Sequence, residues 1–266
     1  MKITIEKITS LTNSKIKFIS SLLLRKNRET SGLFIAEGER ICKEAIQSSW
    51  SPKYLILNSE RENDEGIVNI IKYSLAKKCS VLSVSEKILS KISRKDNPQM
   101  ILGVFEKKLL KLDKIIETKN SLVALDRVRD PGNLGTILRT CDATGVEGVI
   151  LIGNCCDPFS PECTRASMGA IFSVKIVNAK LDEFIRYTKK WDGSIIASSM
   201  KASINYKKAN WGYKSILLSG NEQSGLLEEL EKISHQMIKL PMKGSADSLN
   251  LSVATGILLY EMINKD

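Results

Sequence analysis

Apolar residues recur along this chain in two rhythms, and their alternation sets the expected fold class. Residues 14–28, SKIKFISSLLLRKNR, put Ile16, Ile19 and Leu23 on one helical stripe. Lys15, Lys17, Arg25, Lys26 and Arg28 border that stripe. LFIA (33–36) reads as a strand and is followed by a helix holding Ile41, Ala45 and Ile46. YLIL (54–57) is the next strand, before a helix through Ile67, Ile70, Ile71 and Leu75. SVLSV (80–84) is a third, after which Ser85 suits the N-cap of a short helix ending near Ser93. MILGVFE (100–106) closes the set. Strands alternating with helices predict a compact three-layer α/β unit.

The stretch KKLLKLDKIIETKN (107–120) reads as a connector, so the boundary falls near 110–120. This gives a first domain of residues 1–110 and a second of residues 119–266. The second also alternates. Strands are expected at 121–126, 148–153, 173–177, 194–199, 215–220 and 237–241. Helices are expected at 132–145, from Asp157 and Pro158 towards Met168, at 181–190, at 226–234 and at 248–263. Strands separated by helices of this length predict a largely parallel sheet.

Composition narrows the class. The chain has 266 residues, enough for two domains, and is 42% hydrophobic and 26% charged, which excludes a disordered chain, a collagen and a membrane bundle. No stretch approaches the roughly 18 apolar residues of a spanning helix. The opening MKITIEKITS has charges where a secretory signal would have its apolar core. A cytoplasmic protein with no membrane association is expected. The six cysteines are scattered without a CxxC pair, and His235 is the single histidine. A zinc site needs about four such ligands, so reduced thiols and no metal are expected.

Charge is more informative. Lys plus Arg number 40 against 30 Asp plus Glu. Residues 1–118 hold 22 basic and 14 acidic residues, and residues 1–28 hold seven and one. A polyanion is the natural partner, a solvated lysine-rich face the plainer reading.

Three clusters in the second half carry candidate chemistry. DRVRDPGNLGTILRT (126–140) follows a strand and opens a helix, with Asn133 near the helix start and Arg139 on its polar side. LLSGNEQSGL (217–226) runs from a buried strand into Gly220 and Glu222. Gly220 would let a ligand approach the backbone, and Glu222 is expected in a first helical turn. IKLPMKGSADSLNLSVATGILLYEM (238–262) carries Ser248, Asn250 and Ser252 into a helix. Each cluster alone is also satisfied by helix capping and a solvated arginine. Neither a GxGxxG nor a Walker sequence is present.

Together, in this order and spacing, the three clusters resemble the signature motifs of the SpoU (TrmH-like) RNA methyltransferases of the SPOUT superfamily, over about residues 121–266. The opening ITSLTNSKIKFISSLLLRKNRETSGLFIAEGERICKEAI is similar to the substrate-binding domain of rRNA-directed members. The resemblance implies a smaller ribosomal-protein-like α/β RNA-binding domain, then a parallel sheet with a deep trefoil knot. It implies transfer of a methyl group from S-adenosylmethionine (AdoMet) to a ribose 2′-hydroxyl of RNA, most readily ribosomal RNA. Gly220, Leu240 and Leu249, with Ser198, match cofactor-contacting positions. Asn133, Arg139, Glu222, Ser248 and Asn250 match the active-site polar set. Arg139 matches the family's assigned base. A guanidinium with a pKa above about 12 better suits gripping RNA phosphate and stabilising a developing alkoxide. A homodimer through the second domain, with the active site at the subunit interface, is also implied. Lys15, Lys17, Lys26 and Arg28 are expected to meet the RNA backbone. Rival readings are a tRNA 2′-O-methyltransferase and a non-catalytic RNA-binding or ribosome-assembly protein. The intact polar set argues against the latter.

Overall fold

A computed structural model describes residues 5–116, 118 and 120–264. The first four residues of the opening stretch, and Glu117 and Lys119 of the expected connector, lie outside the described residues. Contacts divide the chain into two units. One holds the chain up to Lys107 together with Asp157–Phe172, and the other holds Lys108–Cys156 and the chain from Ser173 onward. Residues 157–172 thus group with the first unit, whereas the sequence placed them in the second domain.

The first unit is built on strands β1 (Glu6–Ile8), β2 (Leu33–Glu37), β3 (Tyr54–Asn58), β4 (Ser80–Val84) and β5 (Ile101–Glu106), in the order β1-β4-β3-β5-β2. β5 runs antiparallel to both β3 and β2, so the sheet is mixed. Helices α1 (Ser14–Ser21), α2 (Arg25–Ser31), α3 (Glu39–Gln47), α4 (Glu65–Ala76) and α5 (Glu86–Ser93) connect the strands. Alternation along β3 explains the two layers. Ile56 faces Ile16, Ile19, Ile88 and Ile92, while Leu55 and Leu57 face Cys42, Ile67 and Ile70.

The single helix expected over 14–28 is broken. Leu24 is extended, with φ −90° and ψ 131°. The carbonyls freed by the break find side-chain donors. Asn27 Nδ2 donates to Ser21 O at 2.9 Å, and Arg28 Nη1 donates to Leu22 O at 2.9 Å and Leu23 O at 2.8 Å. Arg28 Nε donates to Asp157 Oδ2 at 2.7 Å. Arg28 is only 3% exposed, so it is not the surface RNA contact expected from the sequence. Its guanidinium is consumed inside the fold.

The second unit holds β6 (Leu122–Asp126), β7 (Gly148–Ile152), β8 (Lys175–Ala179), β9 (Ser194–Ser198), β10 (Ile204–Asn205), β11 (Ser215–Ser219) and β12 (Gln236–Lys239). Their order is β10-β12-β9-β11-β6-β7-β8, and every pairing is parallel. The helices from here on are α6 (Leu112–Ile116), α7 (Pro131–Ala143), α8 (Pro161–Ala166), α9 (Leu181–Thr188), α10 (Glu228–Lys232) and α11 (Leu251–Ile263). Of these, α8 belongs to the first unit. Ala124, Ile150, Ile195, Ile216 and Leu218 pack with Phe184 and Trp191 into the core of this second unit.

The 157–172 segment is anchored in the first unit by aromatic packing and by charge. Phe34 lies 4.8 Å from Phe159 and 6.0 Å from Phe172, centroid to centroid. Trp50 Nε1 donates to Phe172 O at 2.9 Å. The buried Glu37 carboxylate receives Lys95 Nζ at 2.6 Å and faces Arg165 at 3.7 Å. All six cysteines are free, five of them buried. Among the described residues no helix is long and apolar enough to cross a membrane.

Candidate active site

β7 and β8 lie on one side of β6, and β11, β9, β12 and β10 on the other. The order in which strands are added therefore switches sides between β6 and β11, where α/β sheets open a crevice beyond the carboxyl ends of their strands. Loops leaving β6, β9, β11 and β12 meet there.

In the first loop Asp130, not Asn133, caps α7. Its carboxylate accepts the Asn133 N–H at 2.6 Å, and Pro131 occupies the first turn. Asn133 is already inside the helix, so its amide side chain is spared for other work. The capping alternative for this residue is not the one adopted.

In the second loop no helix starts at Glu222, contrary to expectation. Asn221 N–H donates to Gly225 O at 3.1 Å and Gly225 N–H returns to Asn221 O at 3.0 Å, closing a tight turn. α10 begins only at Glu228. The Glu222 carboxylate reaches back to the first loop. It accepts the Arg129 and Asp130 N–H groups and Asn133 Nδ2, each at 3.3 Å. At Gly220 a Cβ would be driven into Gly225 C and Leu226 N, so only glycine lets the chain double back there.

In the third loop Asn250 caps α11, its Oδ1 accepting from Ser252 N at 2.9 Å and Val253 N at 3.4 Å. Its Nδ2 donates to Asn133 Oδ1 at 2.9 Å. One hydrogen-bond chain therefore runs through all three clusters. Asn250, oriented by α11, gives to Asn133, and Asn133 gives to Glu222. Each amide can face only one way, because the carboxylate at one end only accepts.

These loops enclose a cavity of about 720 Å³, lined by Ser198, Gly220, Leu240 and Leu249 together with Asn133, Glu222, Ser248 and Asn250. Leu240 is buried, while Leu249 is 38% exposed. Eight of the nine active-site and cofactor residues named from the sequence thus gather at one place. Arg139 does not line the cavity. It lies exposed on α7, six residues beyond Asn133 and so turned away from it. The charged lining residues Lys201, Glu231 and Asp247 were not found by sequence reasoning, because no local pattern separates them from other surface charges.

Nearby nucleophiles are quiet. Burial pushes the Cys155 thiol up to about 11 and the Cys156 thiol up to about 12, so both stay protonated near neutral pH. His235 Nδ1 accepts the Ile195 N–H at 3.0 Å, at the opposite end of β9 from Ser198. The cavity itself offers amides, hydroxyls, the carboxylates of Glu222, Glu231 and Asp247, and the Lys201 ammonium.

Comparison with known proteins gives this geometry its context. The chain matches the SpoU rRNA Methylase family over residues 120–260 and the MRM3-like substrate binding domain over residues 13–103. It is 28% identical over 257 residues to the 23S rRNA (guanosine(2553)-2′-O)-methyltransferase of Bacillus subtilis, covering 97% of this chain and 99% of that protein. It is 26% identical over 268 residues to the 23S rRNA (uridine(2479)-2′-O)-methyltransferase of Streptomyces viridochromogenes, covering 97% and 92%. The crystal structure of an AdoMet-bound rRNA methyltransferase from Sinorhizobium meliloti matches with a TM-score of 0.90 at 40% identity, over 97% of each chain. The chain belongs to the SpoU rRNA methylase family.

Proposed function

We propose that this chain transfers a methyl group from AdoMet to a ribose 2′-hydroxyl of ribosomal RNA. The observation that carries the reading is the meeting of three loops around one cavity, tied by the chain from Asn250 through Asn133 to Glu222. The cavity volume falls in the roughly 300–1,000 Å³ range of small-molecule sites. At Gly220 the cavity wall is formed without a side chain, with the Gly225 and Leu226 backbone packed close against it. Both features suit AdoMet, with Ser198, Gly220, Leu240 and Leu249 holding it. When bound, AdoMet supplies a methyl group already activated by its sulfonium.

The chain's own residues align the acceptor. Asn133, Glu222, Ser248 and Asn250 orient the ribose, and alignment of this kind is worth up to about 7–11 kcal/mol. Arg139 stays charged at any working pH. It grips an RNA phosphate and stabilises the alkoxide as it develops. Because Arg139 does not reach its own cavity, we assign it to an interface in a homodimer. α11 supports this, with Val253 50%, Ile257 37%, Tyr260 49% and Ile263 42% exposed along the helix. β12 enters the sheet between β9 and β10, and the loop after it returns to the cavity, which supports the family's trefoil knot. Lys15, Lys17 and Lys26 meet the RNA backbone, Lys15 while also paired to Glu6. The enzyme acts in the cytoplasm, where its six free thiols remain reduced.

The test is transfer of a labelled methyl from AdoMet by the full chain to an unmodified 23S rRNA transcript, followed by alkaline hydrolysis. A 2′-O-methyl blocks cleavage of the adjoining phosphodiester, so label is expected in alkali-stable dinucleotides. Label released in mononucleotides would mean a methylated base, and no incorporation would remove the reading.

A further inference from the structure

We propose that Asp126, together with Arg127, is a positioning pair for the cofactor, holding the 220–227 loop in the shape that accepts AdoMet. The proposal rests on the function inferred above and concerns two residues that open the first cluster, were given no role from the sequence, and do not line the cavity.

Asp126 ends β6 and is 1% exposed. Its Oδ1 accepts Arg127 Nε at 2.9 Å, and its Oδ2 accepts Arg127 Nη2 at 2.8 Å and the Leu227 N–H at 3.0 Å. Arg127 Nη2 also donates to Gly225 O at 3.2 Å. Arg127 O accepts Asn221 Nδ2 at 2.9 Å, and Asn221 Oδ1 in turn takes the N–H groups of Gln223 and Ser224, each at 3.0 Å. The turn is therefore tied at its start through Asn221 and at its end through Gly225 and Leu227. Both ties lead to two adjacent residues of another loop.

Leu226 and Leu227 pack against the core at the end of the loop, but the turn ahead of them has no such anchor. Residues 222–225 are exposed, so that part of the turn is held by polar bonds. The bonds made by the Asp126 carboxylate and the Arg127 guanidinium are charge-assisted and partly screened from water, which places them among the stronger kind. Arg127 adopts φ +50°, a left-handed conformation uncommon for a residue with a side chain. The surrounding bonds hold it there, and in that conformation its fork closes back on the preceding carboxylate. Neither residue lines the cavity, whereas Gly220 to Leu226 do. Asp126 and Arg127 thus act on AdoMet through the turn.

The experiment uses the full chain with Asp126→Asn, Arg127→Lys and Arg127→Gly, measuring AdoMet affinity by calorimetry and KM and kcat with unmodified 23S rRNA transcript. Asp126→Asn is expected to raise the Kd and KM for AdoMet by roughly 10- to 100-fold, the worth of a hydrogen bond to a charged group. At saturating AdoMet kcat should return to within about twofold, with KM for RNA unchanged. Arg127→Lys keeps the charge but loses the fork, and should shift the same way by less. Arg127→Gly suits the left-handed backbone and so separates strain from grip. It too should weaken AdoMet binding, and it provides a folded variant should the asparagine destabilise β6. A lowered thermal midpoint with unchanged KM for AdoMet in all three would reduce the pair to a structural role and overturn the proposal. A fall in kcat at unchanged KM would overturn it too. Wild-type protein that binds no AdoMet removes the underlying function, whereas normal wild-type binding with unaffected variants removes this proposal alone.

Discussion

The polarity of single amides governs this site. Asn250 does two jobs with two atoms: Oδ1 caps α11 and Nδ2 donates to Asn133. Asn250→Asp separates them. Aspartate caps a helix as well as asparagine does, and its charge suits the helix N-terminus. It has no N–H to give, however, and would set an oxygen against Asn133 Oδ1. Asn133 cannot turn its amide over without facing Glu222 with its own oxygen. Methyl transfer should therefore drop by about tenfold or more, in the range seen when one oriented donor is removed, while thermal stability and AdoMet affinity barely move. Full activity in Asn250→Asp, measured with labelled AdoMet, would show that the chain of amides is dispensable. The sequence made these residue types legible at these positions, but not their division of labour. Whether Asn133 caps a helix or serves the site depends on Asp130 three residues earlier, and both candidates are good caps.

At the scale of elements, the break between α1 and α2 separates two kinds of cation that the sequence presents alike. Lys17 is exposed on α1, whereas Arg28 is buried against Asp157 and the carbonyls of the break. Arg28→Met should destabilise the fold by about 3–5 kcal/mol in urea unfolding, since it removes the ionic partner of the largely buried Asp157 carboxylate and the donor to Leu22 O and Leu23 O. Lys17→Ala should leave stability unchanged and flatten the log-affinity against log-salt slope for RNA by roughly 0.7–0.9. A periodic apolar stripe ran through both helices, so periodicity alone could not show where the backbone turns. The decisive bonds come from Asn27 and Arg28, side chains that read as surface. α11 makes the opposite case. Its outward residues are apolar, and the sequence called for a partner. The proposed homodimer predicts that the wild-type chain sediments as a dimer and that Ile257→Lys, at the middle of that exposed stripe, sediments as a folded monomer. An unchanged dimer would move the interface to another face. The inner strands, by contrast, were readable, because residues inside a covered sheet are apolar on both faces, whereas the short edge strands β1 and β10 carry no such run and were not read. The direction of β5 was not readable either, since antiparallel pairing with β2 and β3 is fixed by partners far away in sequence.

Across the whole molecule, what escaped the sequence is allegiance rather than structure. Residues 157–172 sit between β7 and β8, in the stretch that matches the methylase family, yet they pack with the first unit. Contact order along the chain gave no hint, because Phe159 and Phe172 find Phe34 and Trp50 more than a hundred residues away. The chain consequently passes from one unit to the other three times, after Lys107, after Cys156 and after Phe172. A protein so woven has no place where one cut yields two finished pieces. Trypsin nicking at the exposed Lys108 or Lys111 should give two fragments that co-elute on a sizing column and part only in denaturant, because the second still supplies Asp157, Phe159 and Phe172 to the first. Expressing residues 119–266 alone would bare those same groups to water and invite aggregation. The borrowing runs one way: the first unit could not be exchanged for another without also replacing residues 157–172, which the chain supplies from between β7 and β8.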